Sequence, residues 1–253
     1  NPDYKKVFEE GFQKEFKDYP NFHSYIIVSN FEEELEKLKG VKLDIVCSSP
    51  FFAKHVQYAL KNFPTIKWVH SLAAGVERFL KLDEISKNEN LIFSNSKGAY
   101  SEALGEVGIA SMMYFSYNLY SYTEAMKNKQ WSRSLNKTLY NKTLLIMGYG
   151  NNGVCLAKIA KPGFNMKVIG VNRTKRDDVP GKEYTDELYS IKDLPDKVIN
   201  EADYIYATLP SNSETDNIFD KNFFNKMNKD AVFINVGRGN AVNEDDIIEA
   251  LEK

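Results

Sequence analysis

Glycines at positions 148, 150 and 153 follow an apolar run at 144–147 (Leu-Leu-Ile-Met); a helical segment and a second apolar run at 168–171 come after them. This spacing suits the binding of a pyrophosphate. The first glycine allows a tight turn, and the second lets backbone approach the anion. The third lets the next helix pack closely on the strand, with its N-terminus aimed at the phosphates. Gly148, Gly150 and Gly153 are therefore candidate cofactor-binding residues in a strand–helix–strand unit of dinucleotide-binding length. Asn151 and Asn152, at the start of the helix, add side-chain donors for phosphate.

The end of the second strand bears on which dinucleotide is bound. A site for the non-phosphorylated cofactor usually carries Asp or Glu there, to accept from the ribose 2′-hydroxyl. This chain instead reads Asn172-Arg173-Thr174-Lys175-Arg176. A carboxylate would repel a 2′-phosphate, whereas Asn, Thr and a guanidinium can donate to one, Arg bidentately. The chain has five arginines, and two of them fall in this short stretch. Asn172, Arg173, Thr174 and Arg176 are read as a 2′-phosphate site, with NADP(H) the preferred cofactor and NAD(H) the alternative.

Residues 231–239 (Ala-Val-Phe-Ile-Asn-Val-Gly-Arg-Gly) place Arg238 at the carboxyl end of a buried strand, between two glycines. A guanidinium projecting into the crevice there can grip a carboxylate and polarise an adjacent carbonyl. Arg238 is the candidate catalytic residue, and the flanking glycines are expected to let backbone approach a ligand. Of the three histidines, His23 and His55 read as ordinary surface or helix positions. His70, beside the glycine-containing loop at 71–76, is the one candidate acid. No metal-ligand set is assigned.

The elements that must position these residues follow from periodicity. The first part reads as helix 4–17, strand 24–28, helix 32–38, strand 43–47, helix 52–61, strand 67–69 and strand 91–94. It opens in a helix, so the first strand such a unit needs is absent. One long helix is expected over 101–128, apolar around most of its circumference and so covered on several sides. Strands at 144–147, 168–171, 204–208 and 231–236 follow, with Pro162-Gly163 breaking the chain between the first helix and the second strand. Their ends carry Gly148, Asn172, Leu209-Pro210 and Gly237-Arg238, and doubly wound sheets bind ligands outside such carboxyl ends. The expected class is α/β: a flavodoxin-like substrate domain over 1–97 and a Rossmann, doubly wound parallel-sheet dinucleotide-binding domain over 98–253.

Composition narrows the partners. A chain of 253 residues, 43% hydrophobic, has room for two cores, and a net charge of −2 gives no reason to expect nucleic acid or an anionic membrane surface. The longest apolar stretch, 103–122, is too polar to span a bilayer. Cys47 and Cys155 read as small buried apolar residues. The cytosol is the expected compartment.

Three segments together resemble the D-isomer-specific 2-hydroxyacid dehydrogenases. They are 68–77 (Trp-Val-His-Ser-Leu-Ala-Ala-Gly-Val-Glu), the turn at Gly148, Gly150 and Gly153, and the passage from Ala202-Asp203 through Ala207-Thr-Leu-Pro210, Thr215 and Asn235-Val-Gly-Arg238-Gly. They occur in the family's order and spacing over nearly the whole chain. The Asn-Arg-Thr strand end and Trp131-Ser-Arg133 are most similar to the NADPH-using glyoxylate/hydroxypyruvate reductases. The resemblance implies that backbone amides of Ala74, Gly75 and Val76 hold the carboxylate of a small 2-keto acid. It also implies that Arg238 binds that carboxylate and the keto oxygen, and that Leu209, Pro210, Thr215, Val236 and Gly237 line the cofactor. A homodimer built on the 101–128 region is implied as well. Two other functions use the same scaffold: a formate- or phosphite-type dehydrogenase, and a non-catalytic NAD(P)H-sensing protein like the family's corepressors.

One departure bears on catalysis. The family carries a Glu and then a Pro-His beyond the helix that follows Arg238, and this sequence ends at Lys253 within that helix. The expectation is that these residues are part of a longer enzyme whose acid–base pair lies outside them, both ends being truncated.

Overall fold

The computed structural model describes Lys6, Glu10, Gly11, Lys14, Glu15, Leu38 and residues 40–174 and 178–252. The expected elements at 4–17, 24–28 and 32–38 lie wholly or mostly outside the described residues, as do His23, Lys175 and Arg176. The chain divides into two compact units, Asn1–Asn95 and Ser96–Lys253.

In the first unit β1 (Ile45–Ser48), β2 (Trp68–Ser71) and β3 (Ile92–Asn95) form a parallel sheet in that order. Helix α1 (Ala53–Asn62) and the single turns α2 (Glu77–Leu80) and α3 (Asp83–Ser86) connect them. Val56 and Ala59 of α1 pack with Val69, Phe79 and Ile85 into one core. Gln57 donates to Glu84 at 3.0 Å, and Lys61 lies 3.1 Å from the same carboxylate, which ties α1 to α3. The expectation of a buried Cys47 is overturned: the residue is exposed, with enough of the thiol covered to push its pKa up. Val46 packs against the core, and the two-residue period of a strand turns its neighbour to the opposite face. Cys155 is half-buried.

The second unit opens with α4 (Ser101–Ser116) and α5 (Leu119–Lys127), followed by β4 (Thr143–Met147), α6 (Asn151–Phe164) and β5 (Lys167–Asn172). Then come β6 (Glu187–Ser190), α7 (Asp196–Glu201), β7 (Tyr204–Ala207), α8 (Lys221–Lys226), β8 (Val232–Asn235) and α9 (Glu244–Leu251). The five strands are parallel in the order β6-β5-β4-β7-β8. The chain winds outward from β4 in one direction and then the other, so the order reverses between β4 and β7. This is the doubly wound, Rossmann-like sheet expected.

Both faces of that sheet are buried, by alternation along each strand. Leu144, Ile146, Val168, Tyr204 and Tyr206 pack with Ile109 and Met112 of α4 and Leu156, Ala157 and Ala160 of α6. Leu145, Met147, Ile169, Val171 and Ile205 face the other way, onto Val198 and Ile199 of α7 and Phe219 and Phe223. Helix α4 lies close on α6 because Gly105 and Gly108 leave room. A Cβ on Gly105 would sit 3.1 Å from Cys155 backbone, and one on Gly108 would sit 3.0 Å from both Leu156 and Tyr206.

Three expectations need correction. The helix over 101–128 is broken at Tyr117–Asn118, where Asn118 adopts a left-handed φ of 49° and the amide of Tyr117 caps onto Met113. Within the single chain it is covered on one side, with Val107, Tyr114, Phe115, Leu119, Tyr120 and Met126 exposed. Pro162-Gly163 does not end the first helix. Pro162 lies inside α6, which runs on to Phe164 and stops at Asn165 in the left-handed region, φ 48°. Strand β6 was not anticipated, because Glu187-Leu-Tyr-Ser is a short, half-buried edge segment with no run of apolar residues.

Two aspartates organise the amino ends of the strands. Asp203 accepts from the Thr143 amide at 2.9 Å and from Lys142 at 3.0 Å. Asp186 accepts from the Val168 amide at 2.8 Å and from Lys161 at 2.9 Å. Burial pushes the Asp186 carboxyl up, but Lys161 and the Val168 amide together outweigh it and hold the group below the usual carboxylate range. A depressed folded value stabilises the fold above the unfolded-chain pKa and loses that contribution as pH falls through the folded one. Asp186→Ala is therefore expected to cost no more than about 1 kcal/mol at neutral pH, the lost charge-assisted bonds being discounted for screening at a partly exposed site. The gap from wild type should close as pH falls through the carboxylate range, read from urea midpoints at each pH. A gap independent of pH would show that packing, not charge, holds this corner.

Candidate functional site

The turn after β4 is built by close approach. Gly148 has a φ of +103°, and a Cβ there would meet Thr208 Oγ1 at 2.9 Å. A Cβ on Gly153 would meet the Gly148 carbonyl and Ile146, each at 2.8 Å, so helix and strand touch where the third glycine stands. Nothing lies within 4 Å of the Cβ position of Gly150, which leaves space over the backbone where a pyrophosphate would rest. Gly150 is the N-cap of α6 and supplies no side-chain cap, so first-turn amides of a 14-residue helix face that space as anion donors. These residues fit the dinucleotide read from the sequence.

Tyr149 locks the turn from beneath. It is buried, and its hydroxyl donates to the Gly181 carbonyl at 2.7 Å. Gly170 of β5 leaves room for the same ring and for Leu188, since a Cβ there would meet them at 2.8 Å and 2.7 Å. Burial in this position drives the phenol far above its usual range, so Tyr149 acts as a neutral donor. Asn151 and Asn152 have further contacts that the sequence did not suggest. Ser101 donates to Asn152 Oδ1 at 2.7 Å, and Gly98, with φ +94°, lies against the Asn151 amide. Both side chains thus meet the segment leading into α4.

Thr208 Oγ1 donates to the Gly148 carbonyl at 2.9 Å, joining the carboxyl ends of β4 and β7 at the point where strand order reverses. Leu209 is buried there and Pro210 is exposed. Thr215 is also buried, its hydroxyl donating to the Pro210 carbonyl at 2.6 Å and accepting from the Asn212 amide at 3.1 Å. It shapes the loop after β7. Asn240 braces that loop through Ser211 at 2.8 Å and through Asp216.

At the end of β8, a Cβ on Gly237 would lie 2.7 Å and 2.8 Å from the carbonyl and amide of Leu209. The close approach this glycine permits is to the chain's own backbone. Asn235, which the sequence reading left without a role, accepts from the Gly237 amide at 2.9 Å and donates to the Arg238 carbonyl at 3.0 Å. Asx-type closure of this kind fixes the direction in which the next residue leaves the strand. Val236 bonds back to the Ala207 carbonyl at 3.0 Å. Arg238 follows, partly buried in extended backbone, with Nη1 on the Gly237 carbonyl at 3.2 Å.

Across the sheet, Asn172 is the last residue of β5 and half-buried. Arg173 and Thr174 are exposed, and Arg173 Nη2 lies 2.7 Å from Glu214 Oε1. Gly148, Gly150, Gly153, Asn172, Arg173, Leu209, Gly237 and Arg238 therefore cluster at the carboxyl ends of adjacent strands of one sheet.

In the first unit, the loop 72–76 leaves the carboxyl end of β2. Ser71 Oγ donates to the Ala73 carbonyl at 2.9 Å, and Asn95 donates to the Ala74 carbonyl at 2.8 Å. Among the described residues the amides of Ala74, Gly75 and Val76 make no hydrogen bond, the condition for capturing an anion with backbone. His70 Nδ1 lies 2.9 Å from Ser94 Oγ, which also accepts from the Trp68 indole at 2.7 Å. Among the described residues no helix is long and apolar enough to cross a membrane.

Comparison with known proteins places these features in context. The family model described as D-isomer specific 2-hydroxyacid dehydrogenase, NAD binding domain, matches residues 109–253. A glyoxylate/hydroxypyruvate reductase B of Enterobacter sp. (strain 638) is 29% identical over 199 residues, 77% of this chain and 59% of that protein. The chain thus spans about three fifths of the length of such curated relatives. A D-isomer specific 2-hydroxyacid dehydrogenase family protein from Aeromonas salmonicida superposes over 100% of this chain and 75% of its own, with a TM-score of 0.82 and 28% identity. An NADPH-dependent glyoxylate/hydroxypyruvate reductase from Sinorhizobium meliloti, in complex with NADP and sulfate, gives a TM-score of 0.67 at 24% identity. That match covers 85% of this chain and 67% of the other, and shares the fold.

Proposed function

The chain belongs to the D-isomer-specific 2-hydroxyacid dehydrogenase family, and from that premise we propose that it reduces a small 2-keto acid, of the glyoxylate or hydroxypyruvate kind, to the D-2-hydroxy acid with NADPH. The observation that carries this reading is Arg238 at the carboxyl end of β8, in the same row of strand ends as the glycine turn. The fork of Arg238 takes the carboxylate and the keto oxygen together, which withdraws electron density from the carbonyl carbon. The amides of Ala74, Gly75 and Val76 are assigned to the substrate carboxylate. The turn at Gly148, Gly150 and Gly153, with Asn151 and Asn152, is assigned to the pyrophosphate. Leu209, Pro210, Thr215, Val236 and Gly237 form the wall of the cofactor crevice. When bound, the nicotinamide would supply a hydride to the keto carbon, and a proton taken up by the keto oxygen would complete the hydroxy acid.

Support for NADPH over NADH comes from Asn172-Arg173-Thr174, where no carboxylate ends the second strand. Titration of the protein's fluorescence with each cofactor is expected to give a clearly lower Kd for NADPH. Equal midpoints would remove the preference, and absence of glyoxylate- or hydroxypyruvate-dependent NADPH oxidation by the intact enzyme would remove the substrate class.

A cytoplasmic homodimer is the proposed working form. Val107, Tyr114, Phe115, Leu119, Tyr120 and Met126 are exposed on α4 and α5, and Tyr114 packs on both Phe115 and Tyr120, the kind of exposed apolar cluster that marks an interaction site. Sedimentation velocity at micromolar concentration should give twice the protomer mass, and a monomer there would oppose the assignment.

A further inference from the structure

We infer that Glu214 tunes cofactor selectivity by competing with a 2′-phosphate for the guanidinium of Arg173. This rests on the reading of Arg173 as a 2′-phosphate ligand. The two residues leave opposite sides of the strand-order reversal, Arg173 just past β5 and Glu214 in the loop past β7. Their side chains meet at 2.7 Å.

The backbone that carries the carboxylate is well held. Its own amide donates to Asn212 Oδ1 at 2.9 Å, and the next residue is the buried Thr215 that clamps Pro210 and Asn212. Asn240 braces the same loop through Ser211 and Asp216. Arg173 is the long, exposed partner, with 78% of its side chain accessible against 55% for Glu214.

A dianionic phosphate and a carboxylate claim the same donors. When Arg173 turns its fork to a 2′-phosphate, the single Nη2 contact to Glu214 is lost or shared, and a negative group stays beside the new one. A cofactor ending in a 2′-hydroxyl imposes neither cost. Exposure and salt screening keep such a pair weak, so the effect is a graded bias of a few-fold in affinity. Nothing in the run Asn172-Arg173-Thr174-Lys175-Arg176 points to this carboxylate, which arrives from 41 residues along the chain.

Four proteins test the inference: wild type, Glu214→Gln, Arg173→Ala and the double variant, each titrated with NADPH and with NADH at fixed ionic strength. Adenosine 2′,5′-bisphosphate serves as a further probe without a nicotinamide. Glu214→Gln is expected to tighten NADPH and the bisphosphate about three- to tenfold and to leave NADH within twofold. Arg173→Ala should weaken NADPH about tenfold or more, and in that background Glu214→Gln should have little further effect. An unchanged NADPH Kd in Glu214→Gln, with Arg173→Ala still weakened, overturns the competition and leaves the 2′-phosphate reading standing. Tightening that persists undiminished without Arg173 also overturns competition, because the carboxylate then acts through its field alone. Arg173→Ala binding NADPH as wild type does overturns both readings.

Discussion

Arg238→Lys is expected to lower kcat/KM for a 2-keto acid about a hundredfold in the intact enzyme, a loss of ~2.7 kcal/mol in transition-state stabilisation. Lysine keeps the charge and removes the fork. A guanidinium can place parallel N–H donors on a carboxylate and an adjacent carbonyl, whereas an ammonium offers a point charge that satisfies one of them. The position supports this use. Asn235 holds the backbone on both sides of Gly237, so Arg238 leaves β8 in a fixed direction. NADPH affinity should change little, since the proposed partner is the substrate. A variant that keeps more than about a tenth of wild-type kcat/KM would make Arg238 a structural residue, because that smaller loss is only ~1.4 kcal/mol. A fall in midpoint matching the fall in rate would point the same way.

Legibility in the sequence followed the range of the interactions. The turn at Gly148, Gly150 and Gly153 could be read because its constraints are local: a left-handed φ, and a helix that starts within three residues of a strand end. The strands of the doubly wound sheet were visible because both of their faces are buried, which leaves continuous apolar runs. Edge strand β6, half-buried and carrying Glu187 and Tyr189, gave no such run. The break at Asn118 was hidden because one left-handed residue interrupts an otherwise helical apolar pattern without altering its composition. Cys47 misled for a simpler reason: in a strand-like segment, residue type alone does not say which face is inward. Within the site, what escaped was long-range. Glu214 reaching Arg173, Thr208 reaching Gly148 and Ser101 reaching Asn152 each join segments 41 to 60 residues apart, and no periodicity encodes such pairs.

Gly237→Ala should be among the damaging single-methyl changes in the second unit. The added Cβ would stand 2.7 Å and 2.8 Å from the carbonyl and amide of Leu209 and 3.0 Å from the carbonyl carbon of Thr208. All three are backbone atoms, so no side chain can rotate away. Relief requires the carboxyl ends of β7 and β8 to part, against the bond from Val236 to Ala207 and the Asn235 bonds that close the next turn. Overpacking of this kind costs about 1–3 kcal/mol, which for a chain of this size lowers the thermal midpoint by roughly 3–10 °C. The same displacement moves Leu209, Pro210 and Arg238 together, so cofactor and substrate affinity should both weaken, cofactor by about tenfold. Gly239→Ala is the matched control, two residues away with nothing within 4 Å of its Cβ position. It should shift the midpoint by no more than about 1–2 °C, in line with the small effects of surface substitutions. Equal midpoints for the two variants would mean that the β7 and β8 ends are loosely joined, and that the crevice wall is not held by this contact.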